Sequence, residues 1–394
     1  MPRTSKKKIL RRRILKTMGI VFGIIALLWI AFWIFEGRFL EYTDDAYVSG
    51  NLVRLMPQVQ GTVVSINADD TELVMKGQVL VKLDETDARI AMEKAQANLA
   101  ETVRQVRQEF EDIKQSYANL KLTRVLLEEA QYDSHRREGL VAVRAISHEE
   151  MQHYTSRLKA AEATWHAAKA RYQANLALVE NTTLYTHPAV KQAIISFKNA
   201  YLNDVRTTII SPVTGYIANR TVQLGQQVSP RTSLMAIVPM QEMWIEANYK
   251  ESQLTRLRIG QPVSLRIDAY DGFEFHGKVH GLSSGTGSAF DLLPPQNATG
   301  NWIKIVQRIP VRIDMDPKEI KEHPLRIGLS VRVTTNTAEI QGDILNPVAH
   351  TEPLYVTAVF ASQLQNVDRI VTQTLNANSP NYALVKAKRE DINV

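Results

Sequence analysis

The chain contains no cysteine in its 394 residues, which excludes disulfides and thiolate metal centres alike. Glycine and proline, 18 and 15 in all, are nearly missing from residues 86–207, where only Gly139 and Pro188 occur. A stretch of that length without turn formers excludes a compact β domain and leaves long helices. Charge is missing from residues 18–35. Excess basic charge is missing from the body: eight Lys and Arg fall within the first 16 residues, and removing them turns the net +6 into −2. The body therefore lacks the electrostatic footprint of a nucleic-acid-binding protein.

Catalytic signatures are missing too. There is no Gly-x-Ser-x-Gly elbow, Walker lysine or paired acidic motif, so no catalytic residue is assigned and the chain is expected not to be an enzyme. Asp44 and Asp45 read as a turn and strand start. His276 and His280 would share a helical face, but they sit in an alternating β pattern, about 13 Å apart along a strand. His148 and His153 fall on different helical faces. Neither pair makes a metal site, and no cofactor is expected.

Residues 18–35, "MGIVFGIIALLWIAFWIF", span about 27 Å as a helix, enough to cross a bilayer's hydrocarbon. The run ends in Trp29, Phe32, Trp33 and Phe35 rather than in the small residues of a cleavage site, which predicts an uncleaved anchor. Its basic flank places the N-terminus in the cytoplasm and the body beyond the cytoplasmic membrane.

Between residues 86 and 207 apolar positions recur in threes and fours. One stripe takes Leu99, Val106, Phe110, Tyr117 and Leu120; a second takes Tyr154, Leu158, Trp165, Tyr172 and Leu176, and resumes at Val190, Ile194 and Phe197. The pattern predicts an antiparallel helical hairpin whose arms pack through Tyr117, Trp165 and Tyr172. Its turn falls in "HRREGLVAVRAISHEE", with Gly139 as the C-cap and Ser147 as the N-cap of the return arm. Pro188 restarts the second arm after a break.

The flanks of the hairpin resemble one another. Aligned on Gly61 and Gly215, 154 residues apart, Val63 meets Ile217, Val74 meets Val228, Leu80 meets Leu234 and Leu83 meets Ile237. One β module in two halves, with the hairpin inserted between them, accounts for this. Five short alternating runs then follow, from "MWIEANY" to "LSVRVTT", and predict a small antiparallel barrel. Residues 363–376 predict a short amphipathic helix through Leu364, Val367, Ile370, Val371 and Leu375.

Residues 285–313, "GTGSAFDLLPPQNATGNWIKIVQRIPVRI", open like a phosphate loop, but Phe290 stands at the third glycine position and no Gly-Lys-Ser/Thr follows. The run from Ile303 to Ile313 alternates like a half-buried strand. The loop before it offers Leu292, Pro294, Pro295, Asn297 and Trp302 as a candidate contact with a transporter or a neighbouring subunit.

This order of parts resembles the HlyD-type periplasmic adaptor, or membrane fusion protein, family. It is most similar to the EmrA subgroup through "YTDDAYVSGN", "SPVTGYIANRTVQLGQQVSP" and "WIEANYKESQL". The resemblance implies an elongated α+β chain. It divides into a basic tail (1–17), a transmembrane helix (18–36), a linker with the first barrel strand (37–56), a lipoyl-like half (57–84) and the hairpin (85–207). The second half (208–240), the barrel (241–339) and a tail with a short helix (340–394) follow. It further implies a tripartite multidrug efflux pump, in which a homo-oligomeric ring links a proton-driven major-facilitator transporter in the inner membrane to a TolC-like outer-membrane channel. The family's tip motif falls on Arg136, Leu140 and Ser147, the residues that would dock on that channel. With Ala88 following Asp87 at the turn between halves, the carrier module has no attachment lysine there. A type I secretion adaptor working with an ATP-driven transporter, and an envelope scaffold without transport, remain the alternatives.

Overall fold

The computed structural model describes residues 5–35, 37–289, 306–347, 349 and 351–379. In chain order these form α1 (Ser5–Phe35), β1 (Leu40–Gly50), β2 (Val53–Leu55), β3 (Gly61–Ile66), β4 (Leu73–Val74), β5 (Val79–Leu83), α2 (Thr86–Ala142), α3 (His148–Val179) and α4 (Pro188–Val205). There follow β6 (Thr208–Ile210), β7 (Gly215–Arg220), β8 (Gln227–Val228), β9 (Met235–Val238), β10 (Met243–Lys250), β11 (Pro262–Ile267), β12 (Phe275–Leu282), β13 (Arg308–Met315), α5 (Pro317–Glu322), β14 (Ser330–Asn336) and α6 (Val367–Asn378). The basic segment and the apolar run thus share one continuous helix, α1. The side chains of residues 31, 32, 34 and 35 lie outside those described, and among the described residues no helix is long and apolar enough to cross a membrane.

The β module consists of two four-stranded sheets, ordered β2-β9-β7-β4 and β6-β5-β3-β8. Exchanging each strand for its counterpart in the other half turns the first order into the second, so each sheet draws two strands from each side of the hairpin. All eight matched apolar residues, Val63 and Ile217 through Leu83 and Ile237, lie buried in one cluster. The hydrogen bonds repeat as well: Thr71 N–H donates to the Ile217 carbonyl and Gly225 N–H to the Val63 carbonyl, both at 2.9 Å. At Gly215 an added Cβ would collide with the Val238 carbonyl oxygen, which accounts for the glycine that anchors the alignment.

The halves differ at one strained point. Gly225 has φ +76°, and its counterpart Thr71 holds φ +69° with a β-branched side chain. That conformation costs a β-branched residue about 1–2 kcal/mol, partly offset because glycine loses more entropy on folding. Thr71→Gly is expected to stabilise the module by about 0.5–1 kcal/mol, read as a higher denaturant midpoint with unchanged slope. A lower midpoint would show that the Thr71 side chain contributes more than its strain costs.

The barrel is closed, in the order β1-β10-β13-β12-β11-β14. It has six strands because β1, from before the hairpin, pairs with both β10 and β14. Asp44 and Asp45 are not a turn: they sit within β1 where its register with β14 shifts between Thr43 and Ala46, and Asp45 accepts an ion pair from Arg308 at 2.7 Å. The interior is filled by Tyr249, Leu265, Phe275, Ile313 and Val333, all buried. Tyr249 O–H shares a 2.7 Å hydrogen bond with the Thr335 hydroxyl, and burial pushes its pKa up to about 12. Such a barrel is a packed core and not a pore.

In the hairpin, α2 is 57 residues long, about 85 Å. Leu99, Val103, Val106 and Phe110 pack against Val190, Ala193 and Phe197 near the base, and Leu120 packs against Ala168, Tyr172 and Leu176 higher up. The Tyr117 and Tyr172 ring centroids are 5.4 Å apart. The break before α4 is closed by His187, whose Nδ1 accepts from Ala189 N–H. A third helix joins this base: α6 buries Val367, Val371 and Leu375 in the same cluster.

Candidate functional site: the hairpin tip

The tip is made where α2 stops. Arg144 N–H donates to the Val141 carbonyl at 3.0 Å, Ala145 N–H donates to the Leu140 carbonyl at 2.9 Å, and Arg144 takes φ +53°. These are the paired bonds of a Schellman cap. Gly139, expected as the cap, lies inside α2 instead, because the helix runs on until these bonds satisfy its last carbonyls. An arginine therefore occupies the left-handed position that usually takes glycine. Ser147 caps α3 by accepting from Glu150 N–H at 3.1 Å, and Glu149 and Glu150 complement the positive end of the helix.

Two adjacent arginines divide the labour. Arg137 lies 2.7 Å from the Asp133 carboxylate and stacks 4.0 Å over the ring of Tyr154, so it clasps the two arms together. Its hydrogen bond holds the Asp133 carboxyl below the usual carboxylate range. Arg136 faces solvent, 3.6 Å from the same carboxylate. Leu140 and Val143 follow it at spacings of four and three, with 39% and 71% of their surfaces exposed.

The structure thus brings Arg136 and Leu140 onto one outward face and places Ser147 across the turn as a cap. Val143 and Arg144 belong to the same surface and were not singled out from the sequence. A valine in a turn and an arginine of unknown backbone angle carry no local signal. Leu292, Pro294, Pro295, Asn297 and Trp302 lie outside the described residues, as do Ile303 and Ile305. Neither histidine of the β12 strand shares a ligand with the other: His276 bonds Glu319 at 2.9 Å and His280 bonds Asp314 at 2.6 Å.

A helical hairpin set between the halves of one β module, with a closed barrel beside it, defines the periplasmic adaptor or membrane fusion class. Residues 86–207 match the family model described as "EMRA, alpha-helical hairpin domain", and residues 242–289 match "CusB-like, beta-barrel domain". "Multidrug export protein EmrA" of Escherichia coli (strain K12) is 46% identical over 349 residues, covering 88% of this chain and 90% of that protein. "Probable multidrug resistance protein EmrK" of the same organism is 43% identical over 379 residues, 95% of this chain and 98% of that one. "Fatty acid resistance protein FarA" of Neisseria gonorrhoeae is 39% identical over 372 residues, 94% and 93% of the two chains. The chain belongs to the EmrA family of membrane fusion proteins.

Proposed function

We propose that the protein is the adaptor of a tripartite pump that exports hydrophobic or amphipathic toxic compounds. It would bridge a major-facilitator, proton-driven transporter in the inner membrane and a TolC-like channel in the outer membrane. The observation that carries this reading is the separation of two ends. The tip stands about 85 Å along α2 from the β module, whereas α1 leads straight into the barrel through Gly37–Phe39. The names of the relatives, for multidrug export and fatty acid resistance, support an apolar cargo.

In this reading α1 anchors the chain, its apolar run in the bilayer and its basic residues in the cytoplasm. The Gly37–Phe39 turn that follows α1 is held on the barrel. Thr337 N–H and Oγ1 both bond the Phe39 carbonyl, at 2.7 and 2.8 Å, and the guanidinium of Arg256 lies 4.6 Å over the Phe39 ring. The barrel, with the loop carrying Leu292, Pro294, Pro295, Asn297 and Trp302, meets the transporter or the next subunit. Arg136, Leu140 and Ser147 dock on the channel. Because the barrel interior is filled, cargo passes between copies assembled in a ring, and the adaptor works by binding and bridging rather than by catalysis.

A photocrosslinking side chain placed at Leu140 in intact cells is expected to capture the outer-membrane channel, and one at Ile90, exposed near the hairpin base, is not. Failure at Leu140 with normal expression removes the docking assignment. Impaired secretion of a polypeptide with unchanged drug resistance would instead favour the type I secretion reading.

A further inference from the structure

The end of the barrel that receives the chain from α1 is braced from several sides. Thr337 holds the Phe39 carbonyl, Gln253 Nε2 donates to the Tyr42 carbonyl at 2.9 Å, and Gln261 Nε2 donates to the Arg256 and Glu339 carbonyls at 2.9 and 2.7 Å. Ile259 N–H donates to the Asp343 carbonyl at 2.9 Å, and at Gly342 an added Cβ would collide with the Ile259 carbonyl oxygen. Residues 337–343 are thus clamped onto the loop before β11. Large apolar side chains nevertheless stay outside: Ile340, Ile344 and Leu345 are 46, 55 and 60% exposed. Leu40 and Tyr42, two apart on the outer face of β1 at the same end, are exposed as well. Apolar side chains gathered in this way on a braced rim mark a surface that meets a partner.

Chain length says which partner. The apolar run ends at residue 35, and Phe39, held on the rim, follows four residues later. Four residues of chain reach at most about 14 Å, and the headgroup layer on each side of a bilayer is about 5–8 Å deep. With α1 as the anchor, Phe39 therefore lies within the headgroup layer or less than about 10 Å above it. The charges of the rim cancel. Over residues 37–41, 250–260 and 337–345, Arg38, Lys250, Arg256 and Arg258 balance Glu41, Glu251, Glu339 and Asp343. Attraction to anionic headgroups is then weak, and burial of apolar surface remains as the driving force. Aromatic and cationic groups are combined as they are at a membrane interface: the Phe39 ring carries the guanidinium groups of Arg38 and Arg256 at 4.5 and 4.6 Å.

We propose that this rim is a second lipid contact, with Leu40, Tyr42, Ile340, Ile344 and Leu345 seated in the headgroup layer of the membrane that α1 anchors. The proposal rests on the anchor reading above and adds a surface to it. A single helix followed by a short turn leaves the barrel free to swivel over the bilayer, whereas a seated rim fixes how the barrel stands on it.

The absence of cysteine makes the test direct. Ile344→Cys, Ile24→Cys in the apolar run and Tyr216→Cys on the exposed side of the β module are each labelled with the fluorophore NBD in the full-length protein. The labelled chains are then reconstituted alone in phosphatidylcholine vesicles. Lipids carrying a nitroxide near the headgroup are expected to quench the Ile344 label about threefold more strongly than the Tyr216 label, with no change on adding salt or phosphatidylglycerol. Ile340→Asp combined with Leu345→Asp is expected to bring the Ile344 label down to the Tyr216 level at unchanged helical content. Quenching at Ile24 but not at Ile344 would overturn the rim contact and leave the anchor standing. Quenching at neither would overturn both. Quenching at Ile344 that requires phosphatidylglycerol and vanishes in salt would overturn the apolar contact in favour of an electrostatic one. Shielding of the Ile344 label from an aqueous quencher only when a transporter is reconstituted beside it, without quenching by lipid, would overturn the proposal in favour of a protein partner.

Discussion

If the proposed pump is right, Leu140→Asp is expected to abolish the drug resistance that the pump would confer, while the purified protein keeps its helical content and its melting temperature within about a degree or two. The two halves of that expectation have separate causes. Leu140 contributes to folding mainly through its backbone, whose carbonyl accepts from Ala145 N–H and closes the Schellman cap, and aspartate keeps that carbonyl. Its side chain faces out between Arg136 and Val143, where a docked partner would exclude water. A carboxylate buried there without a partner costs several kcal/mol, more than a small tip contact can supply. Resistance is measured as the inhibitory concentration in a strain lacking its own adaptor, at matched expression. Unchanged resistance would remove the tip from the mechanism. Arg137→Ala makes the contrast. It breaks the clasp between Asp133 and the Tyr154 ring and is expected to act through local stability, loosening the arms.

The hairpin and the β module were legible because each repeats its message. Threes and fours persist along both arms without glycine or proline to interrupt them, and the module's buried positions occur twice at one offset, so Val63 and Ile217 vouch for each other. Pairing was not legible. Nothing local says that β3 and β7 go to different sheets, or that β10 and β14 are the partners of β1, whose place in the barrel was expected from the family resemblance alone; long-range partners depend on which edges are left open once the module has formed. The end of α2 was misplaced for a related reason. A glycine is the usual sign of a helix stop, but the stop is set by where the last carbonyls find donors, and here those donors are the Arg144 and Ala145 amides. The helix near the C-terminus was visible as an amphipathic pattern. Its destination was not, because an apolar stripe states only that something covers it.

That destination carries the second large prediction. Residues between the barrel and α6 pass the β module, where Thr357 Oγ1 donates to the Pro212 carbonyl at 2.9 Å, and α6 then lies across the hairpin base. Val367, Val371 and Leu375 are buried there, each contributing about 1.5–3 kcal/mol. Around them Lys198 meets Asp368 at 2.6 Å, Arg104 donates to Asn378 at 2.7 Å and the Tyr185 hydroxyl donates to Asn376 at 2.8 Å. Leu375→Asp is expected to detach the helix, since leaving a carboxylate unpaired in that cluster costs more than letting the helix go. The loss is therefore capped at the docking energy of α6, which is that burial less the entropy cost of ordering the helix, and removing residues 367–394 altogether is expected to give the same loss. In hydrogen exchange, amides of 95–110 and 190–201 would lose protection in both variants, while amides near Tyr117 and Tyr172, in the separate upper cluster, would keep theirs. Equal protection in all three proteins would mean that α6 adds nothing to the base. A larger loss in Leu375→Asp than in the truncation would mean that the carboxylate stays inside. If the two variants agree, α6 is a working part of the joint at the hairpin base, and the stiffness of the hairpin where it leaves the β module depends on a segment that follows the barrel in the chain.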